Sequence, residues 1–443
     1  MINLHSHTLH AHPHGATMQA ILHAALAAAD PYAAVRRTLW HDGATLHVGA
    51  RALDLRAIDR LLLLAIGKAA AAMATAAHDV LGDRISAGLV VAKDPPPVAL
   101  PAPLALLLGA HPVPDARSVA AAIAARDLLH TAGEHDLVLA LVSGGGSALL
   151  TAPHAPLTLA DLARLTQLLL ASGATIDEIN CVRKHLDAVK GGGLARAAAP
   201  ATSCVLVLSD VVGSPLDVIA SGPFVADPTS CRDALAVLDR YQLRAAVPRV
   251  VALLERGTTE TLNAGDPLLA RGSCTIIGDG AQAAHAAAAA ARVAGLHAEV
   301  FSTALVGEAR VAGRTLAARA HQVLAAGAPR PCCLVASGET TVTLGDAPGR
   351  GGRNQELALA AAPHLPDGAL LVALATDGGD GPTDAAGAVA THTTWQRARA
   401  RGLDPQQHLD GHDAYPLFMA LEDLLLPGPT GTNVNDITVV IIP

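Results

Sequence analysis

Three segments of this sequence combine basic side chains with glycine. Lys68 follows Gly67 in AIGKAA, and Arg353 follows Gly352 in GRGGRNQE. Arg183 lies in INCVRKHLDAVKGGG, where Lys190 precedes the glycines. Lysine and arginine held beside backbone N–H groups bind phosphate or carboxylate oxygens. The residue types and their spacing therefore indicate an anionic ligand.

A run of three glycines directly follows the apolar segment LVLALV, and the whole motif reads SGGGSALL. Consecutive glycines after a strand let backbone N–H groups converge on an anion, and a following helix adds its positive N-terminal end. The motif lacks the GKS or GKT of a Walker A loop. The alternative is a tight strand-to-helix turn. The residues predicted to bind phosphate here are Ser143, Gly144, Gly145, Gly146 and Ser147.

The basic segment at 179–193 is predicted to form one helix that ends in three glycines. Arg183 and Lys190 are seven residues apart and would share a face, with Lys184 on a neighbouring face. Arg183 and Lys184 are the candidates for binding a substrate anion. A solvated basic face is the alternative.

Aspartates follow two of the apolar runs. Asp210 ends SCVLVLSD, and Asp377, Asp380 and Asp384 follow LLVAL within eight residues. A carboxylate at a strand end can hold magnesium or accept a hydroxyl proton. We predict Asp210, Asp377 and Asp380 as metal ligands. The alternative is that these aspartates cap turns and helices.

The segment GRGGRNQE is a glycine-rich, doubly cationic turn that leads into a helix. Gly351, Gly352 and Asn354 are the predicted nucleotide-binding residues beside Arg353. A hairpin-to-helix loop with surface arginines is the alternative. Taken together, cationic glycine loops and acidic strand ends fit phosphoryl transfer, which needs anion cradles, magnesium and an acceptor base. No Cys/His ligand cluster is apparent in the sequence.

Strand-like runs alternate with alanine-rich helical stretches, which predicts an α/β fold with a parallel sheet. Ligands in such folds lie beyond the carboxyl ends of the strands, where the polar segments above fall. A polar, turn-rich stretch places a domain boundary near 245–270. We predict a Rossmann-like N-terminal domain at 18–255 and a smaller α/β domain at 265–443.

The bulk composition excludes several classes of protein. A net charge of −8 without a basic block argues against a nucleic-acid partner, and the apolar runs are too short for a membrane span. Six cysteines without metal-site spacing indicate free thiols and a cytoplasmic protein. Residues 1–17 are rich in histidine and are predicted to be a disordered extension. The sequence is compatible with a homodimer and does not define the oligomeric state.

The motifs resemble those of the glycerate 2-kinase family, the two-domain group with a MOFRL-type C-terminal domain. The matching segments span most of the chain from residue 18 and include AIGKA, LVSGGGSALL, LSDVVGSPLDVIASGPF, GRGGRNQELAL and ATDGGDGPTDAAGA. The resemblance implies phosphorylation of D-glycerate on its 2-hydroxyl, with ATP and Mg²⁺, in a cleft between two domains. It also implies that Lys68, Asp210, Arg353 and Asp377 matter for activity.

Two positions depart from the family pattern. Ser214 stands where the family usually has aspartate, and Gly379 stands where it usually has threonine. If the missing carboxylate binds metal in the family, Asp210 or Asp217 would have to suffice here.

An NAD(P)H-dependent hydroxypyruvate reductase is the alternative function, since members of the family have carried that label. Gly278, Gly280 and Ala283 follow a predicted strand, and Glu299 is predicted to end the next one. This spacing meets a loose dinucleotide-binding fingerprint. It leaves GRGGRNQE and TDGGDGPTD without a function, which favours the kinase.

Overall fold

The computed structural model of the chain describes residues 2–345 and 349–443. Residues 346–348 of the predicted loop before Arg353 lie outside this range. The chain divides into two compact units. Pro31–Ile277 form what we call the parallel-sheet unit, and Gly278–Pro443 with residues 2–30 form the mixed-sheet unit.

The first unit is built on a six-stranded sheet in the order β6-β5-β4-β7-β8-β9 and carries a separate three-stranded antiparallel sheet, β1-β2-β3. Its strands are β1 Leu39–His41, β2 Thr45–Val48, β3 Arg51–Asp54, β4 Leu61–Ile66, β5 Ile85–Ala92, β6 Leu104–Leu108, β7 Leu137–Ser143, β8 Thr202–Leu208 and β9 Gly272–Gly278. Its helices are α3 Pro31–Thr38, α4 Ala70–Leu81, α5 Ala116–His130, α6 Gly146–Leu149, α7 Leu159–Ala171, α8 Ile176–Lys184, α9 Gly193–Ala198, α10 Cys231–Arg240 and α11 Pro248–Glu255.

Strands β4 to β8 of this sheet pair in parallel, as the βαβ rhythm predicts. Every residue of β4 and β7 is buried, because helices cover both faces of the sheet. The core is built from aliphatic side chains such as Leu64, Val138 and Ala140. A second cluster packs α7, α8, α10 and α11 against one another.

The mixed-sheet unit has six strands in the order β10-β11-β15-β12-β13-β14. Its strands are β10 His297–Leu305, β11 Cys332–Gly338, β12 Leu370–Ala375, β13 Gly387–Thr391, β14 Leu424–Leu425 and β15 Asp436–Ile442. Its helices are α1 His7–Ala11, α2 Gly15–Ala28, α12 Gly280–Val293, α13 Ala309–Ala325, α14 Arg353–Ala361, α15 Thr394–Ala400, α16 Pro405–Asp410 and α17 Ala414–Leu421.

Only β10 and β11 pair in parallel in this sheet; the other pairs are antiparallel. Helices α13 and α14 approach closely at Gly313, where a Cβ would lie 2.3 Å from the carbonyl oxygen of Leu357. The absence of a side chain at Gly313 therefore allows this contact. Close packing of small residues is expected in a chain with only 2% aromatic residues.

The amino-terminal segment differs from the predicted disordered extension. Residues 7–11 are helical, Leu9 is buried, and the backbone N and Oγ1 of Thr8 each donate a 2.8 Å hydrogen bond to Asp423. Helix α2 begins at Gly15 and packs on α12 in the mixed-sheet unit. An apolar face that includes Met18, which is fully buried, explains this placement.

The division of the chain also differs from the predicted boundaries. The predicted boundaries place helix α2 in the N-terminal domain and β9 in the C-terminal domain. The structure places α2 with residues 278–443 and β9 in the sheet of β4 to β8. Hydropathy shows that a segment is buried but not which sheet or helix covers it. Within the described part of the chain, no helix is long and apolar enough to cross a membrane.

Candidate active site

Three neighbouring strands of the parallel-sheet unit bring the predicted residues to one edge. Ile66 at the end of β4 pairs with Val142 of β7, and Ser143 at the end of β7 pairs with Leu208 at the end of β8. Lys68 and Asp210 each lie two residues past a strand end. The carboxyl edge therefore assembles the lysine, the glycine run and the aspartate.

Ser143 joins the two turns at this edge. Its buried hydroxyl donates to the carbonyl of Ile66 at 3.3 Å and accepts from the backbone N of Ala69 at 3.0 Å. The backbone N of Lys68 donates to the carbonyl of Gly144 at 2.9 Å. The Ser143 hydroxyl thus holds the Lys68 turn in place, which differs from its predicted role as a phosphate donor.

Each glycine of the run allows a different close contact. A Cβ on Gly144 would lie 1.9 Å from Oδ2 of Asp210, and one on Gly146 would lie 2.7 Å from Cβ of Ala220. Gly145 has φ +85°, and its Cβ position is 3.4 Å from Cγ of Lys68. The run therefore fits its surroundings tightly, and the N–H groups that open α6 lack partners within the helix.

Ser147 lies on the first turn of α6 and is half-buried. Its Oγ is 2.7 Å from Oγ of Ser221, in the segment that follows Asp210. The contact fixes the glycine turn against that segment. One hydroxyl of the pair donates to the other, so Ser147 retains further hydrogen-bonding capacity.

His111, for which no role is predicted from the sequence, also lies at this edge. Its ring lies 3.1 Å from the Cβ position of Gly145. Burial, followed by the charges of Lys68 and Lys93, lowers the pKa of His111. The neutral ring is therefore favoured beside Lys68. The motif GAHPVPD, which follows the apolar run of β6, is the signal that could have identified it.

The basic segment is not one helix. Helix α8 ends at Lys184, and Lys190 lies beyond it in a turn. Lys184 is 3% exposed, with its Nζ 3.1 Å from both Asp217 Oδ2 and Asp227 Oδ1. Because both carboxylates compensate its charge inside the protein, the predicted role of Lys184 in substrate binding is wrong.

Lys190 is likewise buried, and its Nζ lies 2.6 Å from Asp187 Oδ2. Arg183 is half-buried, and burial lowers its pKa. Of the predicted basic cluster, Arg183 alone remains a candidate for binding a substrate anion.

Ser214 has a backbone reason for its position. Its φ is +52°, a left-handed conformation that aspartate, asparagine and glycine tolerate best. The aspartate usual in the family suits this geometry whether or not it binds metal. A Cβ on Gly379 would meet no atom within 4 Å. The threonine usual in the family would therefore fit at this position without a steric clash.

The mixed-sheet unit holds its own charged cluster. Asp436 begins β15 and pairs in register with Gly338 at the end of β11 and Ala375 at the end of β12. Arg353, the first residue of α14, reaches Asp436 from Nε at 2.6 Å and from Nη2 at 2.9 Å. Its Nη1 lies 3.1 Å from Oε1 of Glu339.

Burial is the main cause that raises the pKa of Asp436, to about 6, and Arg353 opposes it. The hydrogen bonds and charge of Asp436 raise the pKa of Arg353 despite its own burial. No role is predicted from the sequence for Asp436 or Glu339. Their positions beside strand ends were the available signal.

Asp380 does not have the geometry of a metal ligand. It is fully buried, and its two oxygens accept four hydrogen bonds from the backbone and side-chain amides of Asn354 and Gln355, at 3.0 to 3.2 Å. A carboxylate at a helix start satisfies the free N–H groups there. Asp380 therefore anchors α14, and its predicted metal role is wrong.

Asn354 and the preceding glycines belong to the same anchor. Asn354 is 1% exposed, so it is not available to a nucleotide as predicted. A Cβ on Gly352 would lie 2.2 Å from Cγ of Asp380, and one on Gly351 would lie 3.1 Å from the carbonyl of His412. These glycines allow close packing around Arg353.

Asp377 follows β12 and is half-buried. Its Oδ1 accepts from the backbone N of Gly379 at 3.1 Å, and its carbonyl accepts from the backbone N of Thr430. The C-terminal segment also fixes Thr376, whose hydroxyl donates to the carbonyl of Asn435 at 2.6 Å. The turn that carries Asp377 is thus held by the chain that leads into Asp436.

The dinucleotide-binding fingerprint is not supported. Strand β9, before Gly280, belongs to one sheet, whereas β10, after α12, belongs to the other. Glu299 lies near the start of β10 and contacts Arg319 at 2.8 Å. A βαβ dinucleotide site requires both strands in one parallel sheet.

The fold and these two polar edges define a two-unit α/β protein in which cationic side chains lie beside carboxylates at strand ends. A family model described as "Domain of unknown function (DUF4147)" matches residues 17–256, and one described as "MOFRL family" matches residues 332–436.

The chain is 40% identical to a glycerate 2-kinase of Pyrococcus horikoshii, with 94% of this chain and 95% of the relative covered. It is 42% identical to a putative hydroxypyruvate reductase of Agrobacterium vitis, covering 96% and 94%. The crystal structure of a Thermotoga maritima glycerate kinase superposes with a TM-score of 0.87 at 38% identity, covering 97% of this chain and all of that one. The chain belongs to the glycerate kinase family.

Proposed function

We propose that this protein transfers the γ-phosphoryl group of ATP to the 2-hydroxyl of D-glycerate, giving 2-phosphoglycerate and ADP. The observation that supports it best is the contact of the Asp210 carboxylate with the glycine turn, beside Lys68. Phosphoryl transfer uses a cation, N–H donors and a carboxylate, and all three are present at this edge of the sheet. The relatives named as glycerate kinases supply the substrate class.

In the parallel-sheet unit, the N–H groups of residues 144–147 donate hydrogen bonds to phosphate oxygens. The ammonium group of Lys68 compensates the negative charge of the phosphate. A magnesium ion would neutralise developing charge on the phosphates when bound. Asp210 is a suitable ligand for this ion, because magnesium prefers oxygen ligands and the half-buried carboxylate lies against the same turn. Arg183 is the candidate partner of the substrate carboxylate.

In the mixed-sheet unit, Arg353 and Asp377 are the proposed participants. An arginine has five N–H donors, so a guanidinium held by Asp436 and Glu339 still has donors for a phosphoryl oxygen. Asp377 is the proposed general base, since Asp210 is assigned to magnesium. The 2-hydroxyl oxygen bonds to the γ-phosphorus, its proton passes to Asp377, and the bond to the β-phosphate oxygen breaks to release ADP.

The test measures ADP release from D-glycerate, ATP and Mg²⁺, with the product passed to enolase in the absence of a mutase. We expect both ADP and phosphoenolpyruvate. ADP without an enolase signal would move the phosphate to another hydroxyl. No ADP under any magnesium concentration would overturn the proposal.

The reductase alternative is tested in parallel with hydroxypyruvate and NADH. The sheet arrangement around Gly278 and Gly280 gives it no support. We expect no NADH oxidation. A cytoplasmic location, suggested by the six free cysteines, belongs to the same proposal.

A further inference from the structure

Three potential metal ligands that have no role in the proposed reaction converge in the parallel-sheet unit. His185 directly follows α8, Cys231 begins α10, and Glu260 lies between α11 and β9. Their donor atoms all lie within 4.8 Å of one another. His185 and Cys231 are 46 positions apart in sequence, and Cys231 and Glu260 are 29 apart. No short sequence motif therefore predicts this cluster.

The histidine ring is oriented as a metal-ligating ring would be. Nδ1 of His185 lies 2.8 Å from the carbonyl oxygen of Cys181, which can only accept a hydrogen bond. Nδ1 therefore carries the proton, and the lone pair of Nε2 accepts a 3.3 Å hydrogen bond from Oγ1 of Thr261, a donor that a bound metal ion would replace. Nε2 lies 3.5 Å from Oε2 of Glu260. A backbone carbonyl bound to the other ring nitrogen is the usual support of a histidine ligand.

The thiol and the carboxylate are held together by the backbone. The N–H of Cys231 lies 3.0 and 3.2 Å from the two oxygens of Glu260. Cys231 is 3% exposed, whereas the Glu260 side chain is 41% exposed. The cluster is thus buried on the cysteine and histidine side and reachable from solvent along the glutamate.

We propose that His185, Cys231 and Glu260 bind a divalent zinc-like ion through nitrogen, sulfur and oxygen, with water as the fourth ligand. Bonds of about 2.0 to 2.3 Å in a tetrahedral site separate ligand atoms by roughly 3.3 to 3.8 Å. The 3.5 Å between His185 and Glu260 already matches that separation. On binding, the thiol releases its proton to solvent, and thiolate plus carboxylate balance the two positive charges.

The predicted role of this ion is structural. It would tie the end of α8 to the start of α10 and to the segment at 260. His185 directly follows Lys184, whose ammonium group pairs with Asp217 and with the fully buried Asp227 in the segment before α10. A metal that spans three segments stabilises a fold because the unfolded chain has no preformed site.

The test uses the full-length protein, stripped with a chelator and titrated with Co²⁺ and then Zn²⁺. We expect one equivalent of Co²⁺ with a thiolate-to-cobalt charge-transfer band, displaced by Zn²⁺, and a rise in Tm. Cys231→Ser should abolish the band. Glu260→Gln, at a partly exposed position, should keep the fold and weaken Co²⁺ binding at least about tenfold.

Cys274→Ser is the matched control, because Cys274 is a half-buried free thiol on β9. It should leave the band and the Tm shift unchanged. Binding through the amino-terminal histidines would lack a thiolate band. The proposal is overturned if wild-type protein shows no stoichiometric thiolate band, or if folded Glu260→Gln binds Co²⁺ as tightly as wild type.

Discussion

The guanidinium of Arg353 donates two hydrogen bonds to the carboxylate of Asp436, from Nε at 2.6 Å and from Nη2 at 2.9 Å. The pair joins the first residue of a helix to the first residue of the central strand of its sheet. Such bidentate pairs fix the orientation of the arginine side chain in addition to compensating its charge. Arg353 is thereby aimed by a residue 83 positions away in sequence.

Replacing Asp436 with asparagine should change how stability depends on pH. The pKa of Asp436 is raised from 3.8 to about 6, so the folded state holds its proton more tightly than the unfolded state. Its contribution is fully present below about pH 4 and is lost as the pH rises to about 6. The wild-type minus Asp436→Asn difference in unfolding free energy should therefore fall across this window, by on the order of 3 kcal/mol.

Thermal and urea unfolding from about pH 4 to 8 measure this difference. Asp384→Asn is the control, since a hydrogen bond from Tyr415 lowers the pKa of Asp384. That variant should show no decline over the same range. A pH-independent difference for Asp436→Asn would contradict the raised pKa.

Lys68→Met should remove a cation from the proposed phosphate site without disturbing the core, since Lys68 is exposed. We expect kcat/KM to fall by about 10² or more, the scale for loss of one charge-stabilising group. Steady-state kinetics with varied ATP measure the loss. Arg84→Met, at another exposed cation, should retain full activity. Wild-type kinetics in Lys68→Met would remove this residue from the mechanism.

Asp210→Asn and Asp377→Asn should respond differently to magnesium. A weakened ligand set is compensated by more metal, whereas a missing base is not. We expect added Mg²⁺ to restore much of the activity of Asp210→Asn and none of that of Asp377→Asn. Initial rates over a magnesium titration decide this. The reverse pattern would exchange the two roles, and full activity in both variants would refute both.

Lys184→Met should destabilise the protein by about 3 to 5 kcal/mol, because it leaves the fully buried Asp227 without its cation. Urea unfolding measures the loss. Lys93→Met breaks only an exposed pair with Asp94 and should cost less than about 1 kcal/mol. Adding Asp227→Asn to Lys184→Met should cost less than the sum of the single changes. Additive losses would show that the pair is not coupled.

The sequence by itself determined the α/β class, the parallel sheet of the first unit and the edge of that sheet where Lys68 and Asp210 lie. Periodic apolar runs separated by helical segments require a parallel sheet, and parallel strands end at a common edge. Lys68, the glycine run and Asp210 each follow such a strand, so their meeting could be predicted. The motifs distributed along the chain then indicated the glycerate kinase family, to which the chain belongs.

Tertiary structure alone decided which charged residues are free to act. Lys184 and Arg183 are adjacent in sequence, yet Lys184 is held by the buried carboxylate of Asp227 and the partly exposed one of Asp217. Asp380 lies three residues from Asp377, but its oxygens are taken by the start of α14. His185, Cys231 and Glu260 meet only after three segments pack together. Residue type determines what a side chain can bind, whereas burial and long-range partners determine whether that capacity is already used.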